Sequence, residues 1–198
     1  MLGRHRADDS RAGWISGLGE HEGEAHPTRG GLRIGKPLPE RRPEEPFDEQ
    51  LEWERDGQYF HYLTKWMHAL DQVSRSTRDP RFHLWARELA DAAHAAFTRG
   101  SGGPGARGLV WKMSTDLSRA LVPSMGQHDP LDGFLTCVQL ETTAALLPGA
   151  LPGPSLKPAI ADFSRLLRTI DLRTADPLGI GGLLSDACRL AQLVERGA

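Results

Sequence analysis

From Phe47 onward the apolar residues recur at three- and four-residue steps, the spacing that gathers them on one face of an α-helix. Phe60, Leu63, Met67, Leu70 and Val73 form the first such stripe. Asp48 stands where an N-cap belongs, and Gly57 divides this first helix into two parts. A turn at Thr77–Asp79 ends it. Asp79-Pro80 opens a second helix, because Asp accepts from the free backbone N–H groups of a first turn and Pro has none to lose there. Phe82, Trp85, Leu89, Ala93 and Ala96 supply its stripe. The short connection makes these two helices an antiparallel pair. GSGGPGARG then reads as a flexible linker, and LVWKMSTDLSRALVPSM as a loop holding a short hairpin. A third helix opens at Asp129-Pro130 and runs through Phe134, Val138, Leu140 and Ala145 to PGALPGP. Ser155 is the expected cap of a fourth, with Ile160, Phe163, Leu167 and Ile170 on one face. Asp176-Pro177 opens a fifth, with Leu183, Leu184, Ala187, Leu190 and Leu193 apolar.

The predicted fold class is therefore all-α, built from antiparallel helical hairpins over 47–198 and preceded by an irregular segment over 1–46. That segment is rich in Gly, Pro, Arg and Glu and lacks helical periodicity. It reads equally as a disordered arm or as a long ordered loop, because Trp14, Ile15, Leu18, Leu32, Ile34 and Leu38 are more apolar than a free tail requires. A weak repeat joins HDPLDGFL at 128–135 to ADPLGIGGLL at 175–184, about 47 residues on, a period that suits one helical hairpin with its loops. Its alternative is that Asp-Pro is merely a common way to start a helix. Taken as a repeat, it makes the first, third and fifth helices parallel, with their N-termini at one end. Unpaired N–H groups and partial positive charge collect at such an end. Gly57, Gly133, Gly179, Gly181 and Gly182 lie near these N-termini, where they permit a close approach of a ligand or simply of a neighbouring helix.

Composition adds mainly exclusions. The net charge of -2 predicts neither a nucleic-acid nor an anionic-membrane partner, which call for a basic patch. No apolar run reaches the ~18–20 residues of a membrane span. The N-terminus has basic residues but no apolar core, so it is not a secretory signal, and the expected location is cytoplasmic. Cys137 and Cys188 both sit in apolar helical patterns, where reduced, buried thiols are expected.

DGQYFHYLTKWMHALDQVSRSTRDPRFHLWARELADAAHAAF resembles a hairpin of (α/α)-toroid proteins of the six-hairpin glycosidase type, which include N-acylglucosamine 2-epimerase-like enzymes. YFHYLTKWMHAL, the turn at Asp79-Pro80-Arg81-Phe82 and then WARELA carry the likeness, which fades towards the C-terminus. The resemblance implies a substrate funnel at one end of a ring, lined by inner-helix N-termini, and sugars handled by paired carboxylates or histidine bases. This chain departs from the pattern in supplying about two and a half hairpins. The expectation is a fragment, a half-ring that self-associates, or an open arc.

The repeat and the resemblance point to the same end of the molecule. Trp53, Tyr59 and Trp111 are candidates to stack on a sugar ring. A hydrolase wants two facing carboxylates, ~5–5.5 Å apart for retention or ~6.5–9.5 Å for inversion. Glu54 or Asp56 against Asp129 or Asp132 is the first pairing to consider, with capping or solvation as the alternative role of each. An epimerase wants a base near neutrality, for which His128 and His61 are candidates. Lys112, Arg119, Gln127 and Asp129 complete the expected binding set. The basic run Arg29, Arg33, Lys36, Arg41 and Arg42 reads as a solvated loop, or as a lid over an anionic sugar. No HxxxH or HExxH pair supports a zinc site, His21 and His26 among glutamates read mainly as polar loop, and neither a GxGxxG following a strand nor a Walker pattern occurs. No metal and no cofactor is expected. The resulting expectation is a carbohydrate-processing hydrolase or epimerase, or a non-catalytic helical binding or scaffolding module on the same fold.

Overall fold

A computed structural model describes residues 2–98, 108–122, 124, 126–195 and 197. The chain is mostly helical. Its elements run α1 (Glu20–Ala25), α2 (Glu49–Glu54), β1 (Gln58–Tyr59), α3 (Phe60–Thr77), α4 (Pro80–Phe97), β2 (Lys112–Met113), β3 (Ala120–Val122), α5 (Asp129–Leu146), α6 (Lys157–Leu167) and α7 (Pro177–Glu195). The linker predicted at 100–108 lies, apart from Gly108, outside the described residues.

Local chemistry explains most of the boundaries. Asp48 accepts from the Leu51 N–H and caps α2, and Asp79 accepts from the Arg81 N–H and caps α4. The first predicted helix breaks around Gly57, whose φ of 148° belongs to glycine. The break is not empty. Gln58 and Tyr59 form an edge strand antiparallel to β2, and β2 pairs antiparallel with β3, so the expected hairpin becomes a three-stranded sheet in the order β1-β2-β3. Two local expectations need correction. Ser155 does not cap the fourth helix, because α6 begins two residues later with Leu156 at the N-cap and no side-chain bond. Cys188 is exposed, whereas Cys137 is buried as expected.

Side-chain pairs fix the helix directions. Phe60 meets Phe97 and Asp71 meets His83, so α3 and α4 are antiparallel. Thr64 bonds Asp132 and Asp71 bonds Thr143, so α3 and α5 run the same way. Gly182 abuts His128 and Arg189 bonds Thr136, so α7 follows α5. Gly133 lies against Phe163 and Glu141 accepts from Leu156, which turns α6 back. The result is a layer of co-aligned α3, α5 and α7 backed by α4 and α6. Phe60, Leu63 and Met67 of α3, Leu89, Ala93 and Phe97 of α4, Leu140 of α5 and Phe163 of α6 share one core. Gly133 makes the tightest approach in it, since an added Cβ would lie 2.9 Å from the Phe60 ring and 3.0 Å from the Phe163 ring.

Residues 2–46 are an ordered, mostly irregular segment, with α1 inside it, docked on this body. Trp14 is buried, with the Arg4 guanidinium over its ring. The Thr28 hydroxyl donates to the Trp85 carbonyl, and the Trp85 indole donates to the Ala25 carbonyl. His26 meets Glu88 at 2.6 Å. A fully buried anchor is Asp56, 0% exposed, which accepts from Arg33 at 3.0 Å and from the backbone N–H groups of Gly35 and Gly57. Among the described residues, no helix is long and apolar enough to cross a membrane.

Candidate functional site

The leading turns of α3 and α5 come together, α7 joins α5 from Gly182 onward, and the sheet adds aromatic rings beside them. Trp53 from the end of α2 meets Trp111 edge-on at 5.0 Å. Tyr59 of β1 lies 5.0 Å from Trp111 and 5.6 Å from His61, nearly stacked on the latter. A cleft of about 270 Å³ opens here, lined by Phe47, Glu52, Trp53, Tyr59, Trp111 and Val122. Half-exposed Trp53 forms part of its rim. Tyr59 is buried, which pushes its phenol up to about 12.

The Trp111 indole N–H donates to His61 Nδ1 at 3.2 Å. That bond requires a lone pair on Nδ1, so the ring is neutral with its proton on Nε2. Burial drives the same result. It lowers the His61 pKa to about 4, helped by His128 and Lys65. His61 therefore presents a hydrogen-bond donor at neutral pH, where a proton-abstracting base would need a free lone pair and a higher affinity for the proton.

Behind His61 lies a group of charges. Asp132, 0% exposed, accepts from Thr64 at 2.6 Å, Lys65 at 2.8 Å and Arg189 at 2.5 Å. Burial alone would raise its pKa, but Lys65 and Arg189 overcome that and hold it below the ordinary carboxylate value. Asp129, one turn earlier, is 1% exposed and accepts from the Gly126 N–H. Burial pushes it up to about 6. Asp186 of α7 is also pushed up to about 6, by burial and by Asp132. One of its oxygens meets Arg189 at 3.2 Å, and the other is buried with no hydrogen-bond partner among the described residues. His128 occupies the N-cap position of α5, its ring against Gly182 at the start of α7.

The remaining expected site residues lie elsewhere or are already engaged. Asp56 is spent on anchoring the N-terminal loop. Lys112 is wholly buried, donating to Glu52 and to the carbonyls of Glu52 and Arg55 beneath the sheet. Arg119 donates to the Arg41 carbonyl. Gln127 ties the start of α5 to the carbonyls of Asp171 and Arg173. Glu54 is exposed at the end of α2, its carbonyl accepting from Leu38. The basic run is divided: Arg33 and Arg41 are paired with Asp56 and Glu52, and Arg29 lies 3.7 Å from Glu22. Thr64, Lys65, Asp186 and Arg189 are members that sequence reasoning missed. One signal was present, the Asp186/Arg189 pair at i, i+3 inside the otherwise apolar LLSDACRLA.

Comparison with protein families, with curated proteins and with solved structures yields no match. The six-hairpin likeness thus rests on the sequence motifs alone. Among the described residues, no group of three or more His, Cys, Asp and Glu side chains is disposed to hold a metal ion.

Proposed function

We propose that this chain binds a carbohydrate across the aligned tips of α3, α5 and α7 and processes it with acid–base help from Asp129, in the manner of the six-hairpin proteins its first hairpin resembles. The observation that carries the reading is the meeting of two features. An aromatic cleft able to stack a sugar ring is linked through His61, which bonds Trp111 and lies within electrostatic reach of Asp132, to a buried carboxyl pair with opposed proton affinities: Asp129 near 6 and Asp132 below the usual range. Such a split assigns acid and stabiliser roles at one pH. Trp53 and Trp111 serve as the platform. His61 donates through Nε2 to a ligand oxygen. Asp129 shares a proton with the reacting group, and His128 stands beside it. An open arc of a toroid is the corresponding architecture.

A non-catalytic binding module is the second reading. Asp132 favours it, because two cations and a hydroxyl already neutralise that carboxylate.

A panel of mono- and oligosaccharides, screened by thermal shift and followed by calorimetry and product analysis, tests both. A ligand that binds the folded state raises Tm. Trp111→Ala is expected to weaken it about tenfold, the equivalent of one lost aromatic contact. Asp129→Asn is expected to abolish turnover while keeping affinity. Binding without turnover in the native chain selects the module, and a panel with no Tm shift removes the carbohydrate reading altogether.

A further inference from the structure

The opposite pole of the molecule carries a second cavity. α3 is 18 residues long, which at a rise of ~1.5 Å per residue separates its ends by roughly 27 Å. At its C-terminal end, a groove of about 570 Å³ opens between α3 and α5, lined by Arg75, Arg78, Thr142, Leu146, Leu147 and Pro148. That volume lies in the range of small-molecule sites, roughly 300–1,000 Å³.

The chemistry of the lining is lopsided. Most arginines of the chain have a carboxylate partner, as Arg6, Arg11, Arg33, Arg41, Arg55, Arg81, Arg87 and Arg189 do. Neither Arg75 nor Arg78 has one among the described residues. Arg75 gives one N–H to the Gln72 side chain at 3.0 Å, which leaves most donors of both forks unspent. Both line the groove, Arg75 from the last turn of α3 and Arg78 from its C-cap. Leu146, 67% exposed, lines the same groove as an apolar wall.

The backbone adds a second observation. Arg78 occupies the C-cap of α3 with φ 59° and ψ 23°, the left-handed conformation in which glycine is usual. An arginine there accepts backbone strain and brings a guanidinium to the groove in return.

We infer that this groove binds a small amphipathic anion, an apolar body ending in a carboxylate or phosphate, with the Arg75 and Arg78 guanidinium groups on the oxyanion and Leu146, Leu147 and Pro148 against the body. The two forks match the geometry of either oxyanion. The site is independent of the carbohydrate reading, because it shares no residue with the α3–α5–α7 tips.

Calorimetry on the full chain with octanoate, octyl phosphate, neutral octanamide and inorganic phosphate tests the inference. Octanoate or octyl phosphate should bind, the tighter of the two naming the head group, with octanamide and inorganic phosphate each at least about tenfold weaker, the cost of one charge-assisted contact or of the apolar body. Arg75→Gln and Arg78→Gly should each weaken the anion about tenfold. Arg78→Gly also separates binding from folding: glycine suits the backbone at 78, so the unliganded variant should melt no lower than the parent. Octanamide binding as tightly as octanoate, or anion affinity unchanged in both variants, would overturn the site and leave the arginines as partners of the helix C-terminal dipoles only. Inorganic phosphate matching octyl phosphate would remove the apolar half of the inference.

Discussion

Asp129 and Asp132 stand one helical turn apart on α5, both buried, and titrate in opposite directions. The difference lies in their neighbours. Asp132 faces Lys65 and Arg189, whereas Asp129 receives a single backbone N–H. This has a stability consequence. The folded state keeps the Asp129 proton up to about pH 6, while the unfolded chain loses it near 3.8. Between those values the folded state binds more protons, so stability falls as pH rises, by on the order of 2–3 kcal/mol in all. Asp129→Asn keeps an acceptor for Gly126 and cannot ionise. Urea unfolding should find the variant more stable than the parent at pH 7 and nearly equal to it at pH 4. Asp186 is shifted the same way and keeps its own slope in the variant. Identical pH slopes in parent and variant would show that burial does not hold the Asp129 proton. None of this was legible in HDPLDG, because spacing puts both carboxyls on one helix without saying what faces them.

At the scale of elements, punctuation was the readable part. Asp48, Asp79 and the Asp-Pro steps mark helix starts through bonds local in sequence, and α2, α4, α5 and α7 begin at or next to them. The short strand β1 was not readable, since Gln58 and Tyr59 become a strand only by pairing with Met113 and Lys112. The glycine before Phe134 proves to be a packing device. Gly133→Ala places a methyl against two aromatic rings fixed in the core. Chemical denaturation should show a loss of about 1–3 kcal/mol, the usual cost of overpacking. A neutral result would mean that α3 and α6 can move apart at that level. The fifth predicted helix forms, but only part of its apolar stripe turns inward, Leu193 being buried. Leu184 and Leu190 are exposed, while Asp186 and Arg189 are buried against α5. Periodicity identifies the faces of a helix; the partner's chemistry, here the Asp132 carboxylate, selected which face went in.

At the scale of the whole molecule, the N-terminal loop and the helical body are joined through buried charge. Asp56 depends on Arg33, with Arg6 3.6 Å away. Arg33→Ala strips the nearer cation from a carboxylate with no exposure. The expected cost is about 3–5 kcal/mol, the range for breaking a buried pair by removing one partner. The double variant Arg33→Ala/Asp56→Asn should recover part of it. Hydrogen exchange would then show residues 2–40 opening before the helices in the single variant. Full protection of that loop would mean its apolar contacts through Trp14 and Ile15 suffice without the pair. The N-terminal segment carries enough apolar residues to dock, and its sequence left docking and disorder equally open, because the decision depends on Asp56 and Glu88 lying far along the chain.

Sequence alone determined what short-range physics controls: five of the helices, the Asp48 and Asp79 caps, the hairpin after the linker, and a set of aromatic and acidic residues grouped near three helix starts. Tertiary structure decided which of those residues are free to act. Asp56, Lys112 and Gln127 became fastenings, and Lys65, Asp186 and Arg189 joined the tips. The reason is that burial and pairing set the chemistry of an ionisable group, and both arise from contacts between residues dozens of positions apart, which no local pattern encodes.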